Sequence, residues 1–147
     1  MTSERINPAE LARPSGFSHA VSVAGGAAAG GAAAGRMVFL AGQTGVDRDG
    51  NVAGGGIVPQ FERAMTNLLT ALGAAGGLPS DLVSLTIYLT DVPDYQAHAR
   101  EIGAVWRRLA GTDYPAMAAV GVTRLWRPGL LVEIQGIAVV GADGVSR

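Results

Sequence analysis

The segment LLVEIQGIAVV, residues 130–140, constrains the fold more than any other stretch. Read as a strand, its alternating sets are Leu130, Val132, Ile134, Gly136, Ala138 and Leu131, Glu133, Gln135, Ile137, Val139, so both faces are largely apolar. Such a strand belongs inside a sheet with both sides covered. One side can meet helices, and an apolar patch left on the other marks a subunit interface. Glu133 lies on that second face and is the only carboxylate between Asp113 and Asp143.

The rest of the chain supplies the partners. GFSHAVSVA has the period of a half-buried strand, and RMVFLAGQTGV reads as a second, more apolar one. Between them, residues 24–35 are a Gly/Ala-rich stretch without hydrophobic periodicity, expected to be a hairpin insertion within a single domain spanning 1–147. DRDGN predicts a short hairpin turn. From Pro59, the residues Phe61, Ala64, Met65, Leu68, Leu69 and Leu72 follow helical spacing, stopped by Gly73 and the Gly76, Gly77 pair. LVSLTIYLT alternates as a third main strand. A second helix follows, capped by Asp91 or Asp94 and presenting Tyr95, Ala99, Ile102, Val105, Trp106 and Leu109. Two strands, near 116–123 and 130–140, close the chain. This order predicts an α+β fold, a mixed β-sheet with two helices packed on one face.

Charged residues are 16% of the chain, against about 25% in ordinary globular proteins, and mean hydropathy is +0.28, too little polar cover for a monomer. An oligomer is expected. The net charge of −1 gives no footprint for a phosphate backbone, so no nucleic acid partner is expected. All 11 cations are arginine and cysteine is absent, which excludes lysine Schiff bases, phosphate-loop lysines, thiolate nucleophiles and cysteine-ligated zinc. His19 and His98 have no metal-ligand spacing, so no metal or other cofactor is expected. MTSERINPAE does not read as a signal peptide and no apolar run reaches the roughly 20 residues of a span, so no membrane partner and a cytoplasmic location are expected.

SGFSHAV, VFLAGQTGVDRDGNV, VSLTIYLTDVPDY, YPAMAAVGVTRL and LLVEIQGIAVV together resemble the RidA/YjgF family, also known as endoribonuclease L-PSP. The resemblance implies a chorismate-mutase-like fold assembled as a homotrimer, with a small-molecule cleft at each subunit interface. Members of its best-known branch hydrolyse enamines and imines such as 2-aminoacrylate to ketoacids and ammonia. Carried onto this chain, Glu133 matches the glutamate that orients the attacking water, and Gly42 a residue whose backbone contacts ligand. Phe17, Met117, Ala118 and Ala119 complete the expected substrate-binding set, with Ala41, His98, Arg124 and Trp126 as further candidates.

The departures fall in the site. Met117 stands where the deaminase branch has a carboxylate-gripping arginine, Phe17 where tyrosine is usual, and Ala119 where cysteine is frequent. Ala41 and Ala99 replace frequent serine and asparagine. Loss of one partner of a desolvated arginine–carboxylate pair costs about 2 to 5 kcal/mol, so a simple 2-imino acid is expected to be a poor substrate. Arg36, Arg124 and Arg127 are candidates for a replacement cation, each with a solvated surface role as the plain alternative.

The expected function is therefore a hydrolase or deaminase acting on an imine, enamine or related metabolite, with Glu133 as the catalytic residue. The alternatives are a non-catalytic trimer that binds an apolar metabolite, in which Glu133 only pairs with an arginine across an interface, and, more weakly, an endoribonuclease. Trp126 is read either as a stacking surface for a ligand or as cover for a core edge.

Overall fold

A computed structural model of the chain describes residues 2–25 and 35–141. Its strands are β1 (Ser3–Ile6), β2 (Ala20–Ala24), β3 (Arg36–Thr44), β4 (Leu82–Leu89), β5 (Ala116–Gly121) and β6 (Val132–Val140). They form one sheet in the spatial order β1-β2-β3-β6-β4-β5, antiparallel throughout except for the parallel β4–β5 pair at one edge. The helices are α1 (Ile57–Ala74), α2 (Val92–Ala97) and α3 (Ala99–Ala110). This is the α+β architecture expected from the pattern of elements, and it agrees with the fold that the family resemblance implies.

β6 is central, as its double-sided apolarity demands. Val132, Ile134, Ala138 and Val140 are buried on the side facing α1, together with Val38 and Leu40 of β3. Against them α1 packs Phe61, Ala64, Met65, Leu68 and Leu72, all buried. Each large apolar side chain buried in this way stabilises the fold by about 1.5 to 3 kcal/mol. α3 lies beside α1 and adds Ile102, Val105 and Trp106 to the same core, with Tyr114 stacked on Trp106 at 6.0 Å.

Of the glycines expected to stop α1, the Gly76, Gly77 pair does so, just after its last residue Ala74. Gly73 stays helical, and Gly76 takes φ +80° while its N–H donates to Gly73 O and that of Gly77 to Leu72 O. These two bonds satisfy carbonyls the helix end would leave orphaned.

Three further features differ from the reading of the sequence. The second helix is two helices. Asp91 caps α2 by accepting the Asp94 N–H (3.0 Å), and at its end His98 leaves helical geometry (φ −107°, ψ 13°) with its ring Nδ1 donating to Asp94 O (2.9 Å), so α2 and α3 are separate. β1 was not expected at all. Its residues are largely exposed and it is held by backbone pairing to β2, so it leaves no hydrophobic signal. Finally, β5 and β6 are shorter than 116–123 and 130–140, running over Ala116–Gly121 and Val132–Val140.

The DRDGN turn is present: Asp47 N–H donates to Asn51 O (2.9 Å) and Val46 bridges Val52. β2 and β3 pair as far as Ala24 and Arg36, and Gly25 N–H donates to Gly35 O (3.1 Å). Within the expected 24–35 insertion, residues 26–34 lie outside the described residues. No described helix is long and apolar enough to cross a membrane.

Candidate functional site

The sheet face away from α1 carries Glu133. Thr44 of β3 and Tyr88 of β4 flank it in register, and Glu133 is half-buried between them. Burial pushes its carboxyl pKa above the usual carboxylate range.

A bulge in β3 shapes the surroundings of that carboxyl. Leu40 pairs with Gly136 and Gln43 with Ile134, so Ala41 and Gly42 together face the single residue Gln135. Freed from that ladder, the Ala41 N–H donates to His19 O (2.9 Å). Gly42 is then required by close approach rather than by backbone angle. A β-carbon there would lie 2.9 Å from Cδ and 3.0 Å from Cγ of Glu133.

On its other side Gly42 borders a cavity of about 110 Å³ that is also lined by Arg13, Phe17, His19, Gln43 and Asn67. Phe17 is half-exposed and stands edge-on to the His19 ring at 5.3 Å. His19 is buried and both ring nitrogens are engaged. Nε2 donates to Ala12 O (2.8 Å), which leaves Nδ1 to accept from Gln43 Nε2 (3.0 Å). Its backbone N–H donates to Asn7 Oδ1 (2.9 Å). Asn67 of α1 donates to both Thr44 O and Val46 O, tying the end of β3 to the helix.

Met117 and Ala119 are elsewhere. In the parallel β4–β5 register Met117 is beside Leu85 and Ala119 beside Ile87, two core residues on the α1 side of the sheet. Ala118 pairs with Thr86 and so shares the Glu133 face. β5 is exposed along its whole length, with Met117 45% exposed. Within one protomer, therefore, Glu133, Gly42, Phe17 and Ala118 are not brought together with Met117 and Ala119.

The further candidates fall outside this grouping, except Ala41 in the bulge. His98 closes α2, where its Nδ1 bond to the Asp94 carbonyl, reinforced by the Asp94 carboxylate at 3.2 Å, raises its pKa. Arg124 lines a separate groove of about 420 Å³ with Thr90, Leu130 and Leu131. Trp126, at 89% exposed, does not cover a core edge. Arg127 spends both terminal nitrogens on Gly50 O (2.9 Å each), and Arg36 bonds Ser22 Oγ (3.2 Å) and Ala75 O (2.9 Å). Among the described residues no cluster of His, Asp and Glu is arranged to hold a metal.

Arg13, Gln43 and Asn67 were not legible as site residues. Their membership depends on how the irregular segment before β2 folds against the β3 bulge, which no periodicity reports.

Comparison with known proteins agrees with this fold. The family model for endoribonuclease L-PSP matches residues 17–140. A 2-iminobutanoate/2-iminopropanoate deaminase of Capra hircus is 35% identical over 107 residues, covering 72% of this chain and 74% of the relative. Protein DfrA of Myxococcus xanthus is 40% identical over 107 residues, 72% of this chain and 78% of the relative. The crystal structure of RidA from an Antarctic Psychrobacter superposes with a TM-score of 0.73 at 26% identity, over 93% of this chain and 99% of that one.

Proposed function

Because the chain belongs to the endoribonuclease L-PSP family, the RidA/YjgF proteins, we propose that it is an imine or enamine hydrolase working without a cationic anchor on β5. The observation that carries this reading is the half-buried Glu133 carboxyl resting against Gly42, next to a small cavity walled by Phe17. Glu133 takes a proton from a water while the water oxygen attacks the C=N carbon and the nitrogen gains the electron pair and a proton. The resulting carbinolamine expels ammonia and leaves a carbonyl. A carboxylate whose pKa is raised by burial is a stronger base for the first step than a solvated one.

The active form is a homotrimer with clefts between subunits. Support comes from the separation of Glu133 from Met117 and Ala119 within the protomer, and from the exposed Met37, Phe39 and Val139 on the helix-free sheet face. A second copy brings its β5 to the Glu133 face of the first. Phe17 of one copy and Met117 and Ala119 of the next then form an apolar wall, which suits an imine lacking a carboxylate beside the reacting carbon.

The nuclease chemistry in the family's name has little support here. Both His19 nitrogens are engaged inside the fold, and His98 is held by Asp94. With His19 occupied, His98 is left without a second histidine, so no pair is available for acid and base work at a phosphodiester.

Ammonia release from a panel of imines generated in situ tests the reading. Glu133→Gln is expected to lower turnover at least 100-fold while sedimentation stays that of the wild type. Full turnover in the Gln variant would refute it, and tight binding without product in both proteins would favour a binding role.

A further inference from the structure

The arginines that the sequence suggested as replacements for the missing anchor are engaged elsewhere or line another groove. Arg127 and Arg36 are committed to backbone carbonyls, and Arg124 borders the separate groove beside Leu130. One cation does reach the candidate site. Arg13 lines the same cavity as Phe17 and Gly42, and among the described residues no hydrogen bond or ion pair occupies its guanidinium. We propose that Arg13 is the anion-binding residue of this cleft, gripping a carboxylate or phosphate group of the ligand from the Gly42 side of the site.

Three contacts fix where Arg13 stands. Leu11 is buried in the core, the Ala12 carbonyl accepts the His19 Nε2–H (2.8 Å), and Pro14 restricts the backbone immediately after. His19 is in turn held by Gln43, the neighbour of Gly42. The backbone at Arg13 is thus tied through two hydrogen bonds to the bulge that seats Glu133, while the side chain stays exposed. A guanidinium on a fixed stem presents its forked donors to a carboxylate or phosphate with less ordering cost than one on a free loop.

The surroundings extend the site for anions. Arg13 also lines an adjoining groove of about 560 Å³ with Arg48, Asn7 and Asp49. Two guanidiniums and one carboxylate leave that groove net cationic on a chain whose overall charge is −1. The cavity at Gly42, about 110 Å³, has room for only a few heavy atoms and lies across Gly42 from Glu133, so the charged end of a ligand fits there beside Arg13 with its reacting end toward Glu133. This deepens the hydrolase reading and rests on it for the identity of the reacting end. It assigns a substrate class: an imine whose anionic group is held from the Arg13 side rather than by β5.

Calorimetric titration of the full chain with 4-oxopentanoate, whose carboxylate is remote from its carbonyl, inorganic phosphate and uncharged 2-butanone tests the assignment. In Arg13→Met, binding of the two anions is expected to weaken about tenfold, the lower end for a charge-assisted hydrogen bond. 2-Butanone binding should not change. Arg100→Met, on the exposed side of α3, should match the wild type. Equal anion affinity in wild type and Arg13→Met overturns the proposal, as does a wild type that binds neither anion or an equal loss in Arg100→Met. Arg13-dependent anion binding without any ammonia release would sustain the anion site and sink the hydrolase reading. Glu133-dependent turnover of anionic and neutral imines that ignores Arg13 would do the reverse.

Discussion

The carboxyl group of Glu133 rests against the bare Cα of Gly42, where a single added methyl would collide with it. The obstacle is the far end of a flexible side chain. Gly42→Ala should therefore cost little stability, about 1 kcal/mol or roughly 3 °C in Tm, while moving the carboxyl off its seat and lowering turnover more than tenfold. Calorimetric melting alongside ammonia release checks both halves.

Gly45 offers the contrast. A β-carbon there would lie 2.8 Å from the Cα of Gln60 in α1, and backbone cannot swing aside. Gly45→Ala is expected to destabilise the fold by about 1 to 3 kcal/mol, read as a lower midpoint in urea with an unchanged slope.

Glu133 should also leave a mark on stability as a function of pH. Burial raises its folded-state pKa above the 4.5 of the free group, so folding favours the protonated acid. That contribution is fully present below pH 4.5 and is lost as pH rises through the higher folded value. Glu133→Gln, which can never ionise, should therefore melt higher than wild type at pH 8 and no higher at pH 4. Equal melting temperatures at pH 8 would show that the carboxylate is not penalised by its surroundings.

Met117 and Glu133 lie on opposite faces of one protomer's sheet, so an arginine restored at 117 can serve Glu133 only across a subunit boundary. Met117→Arg is expected to raise turnover of 2-iminobutanoate about 30-fold, the reverse of losing a buried arginine–carboxylate pair. Wild type should turn it over poorly.

Phe39 is exposed on the helix-free face of the sheet beside Ile137. Phe39→Asp places a charge in the proposed interface. Equilibrium sedimentation should find wild-type trimers and mostly single copies of the variant, and adding Phe39→Asp to Met117→Arg should erase the gain in turnover.

The legibility of these features follows how each is held. β6 and α1 were readable because burial on one or both sides writes itself into the period of apolar residues, as at Ile134 or Leu68. β1 was not, since Ser3–Ile6 is held by backbone pairing and its side chains stay largely in solvent. The break at His98 is one residue out of helical geometry, which leaves the apolar period on either side unchanged. Glu133 and Gly42 could be named from family resemblance, but the face on which Met117 falls could not be read from YPAMAAVG. It depends on β5 lying parallel beside β4 in a particular register, and alternation within a strand says nothing about its neighbour. Arg13 was hidden for a related reason, because its place is set by the His19 and Gln43 contacts rather than by its own segment.

The strand Ala116–Gly121 has a further consequence for anyone handling the purified material. It carries no charge, bulge or internal proline, and among the described residues one of its two edges is unpaired. Natural edge strands are usually guarded by such devices against sticking to other chains. In the proposed trimer a sister copy supplies the guard. Dilution or interface-breaking substitutions should thus turn a clear solution cloudy well before they unfold the molecule.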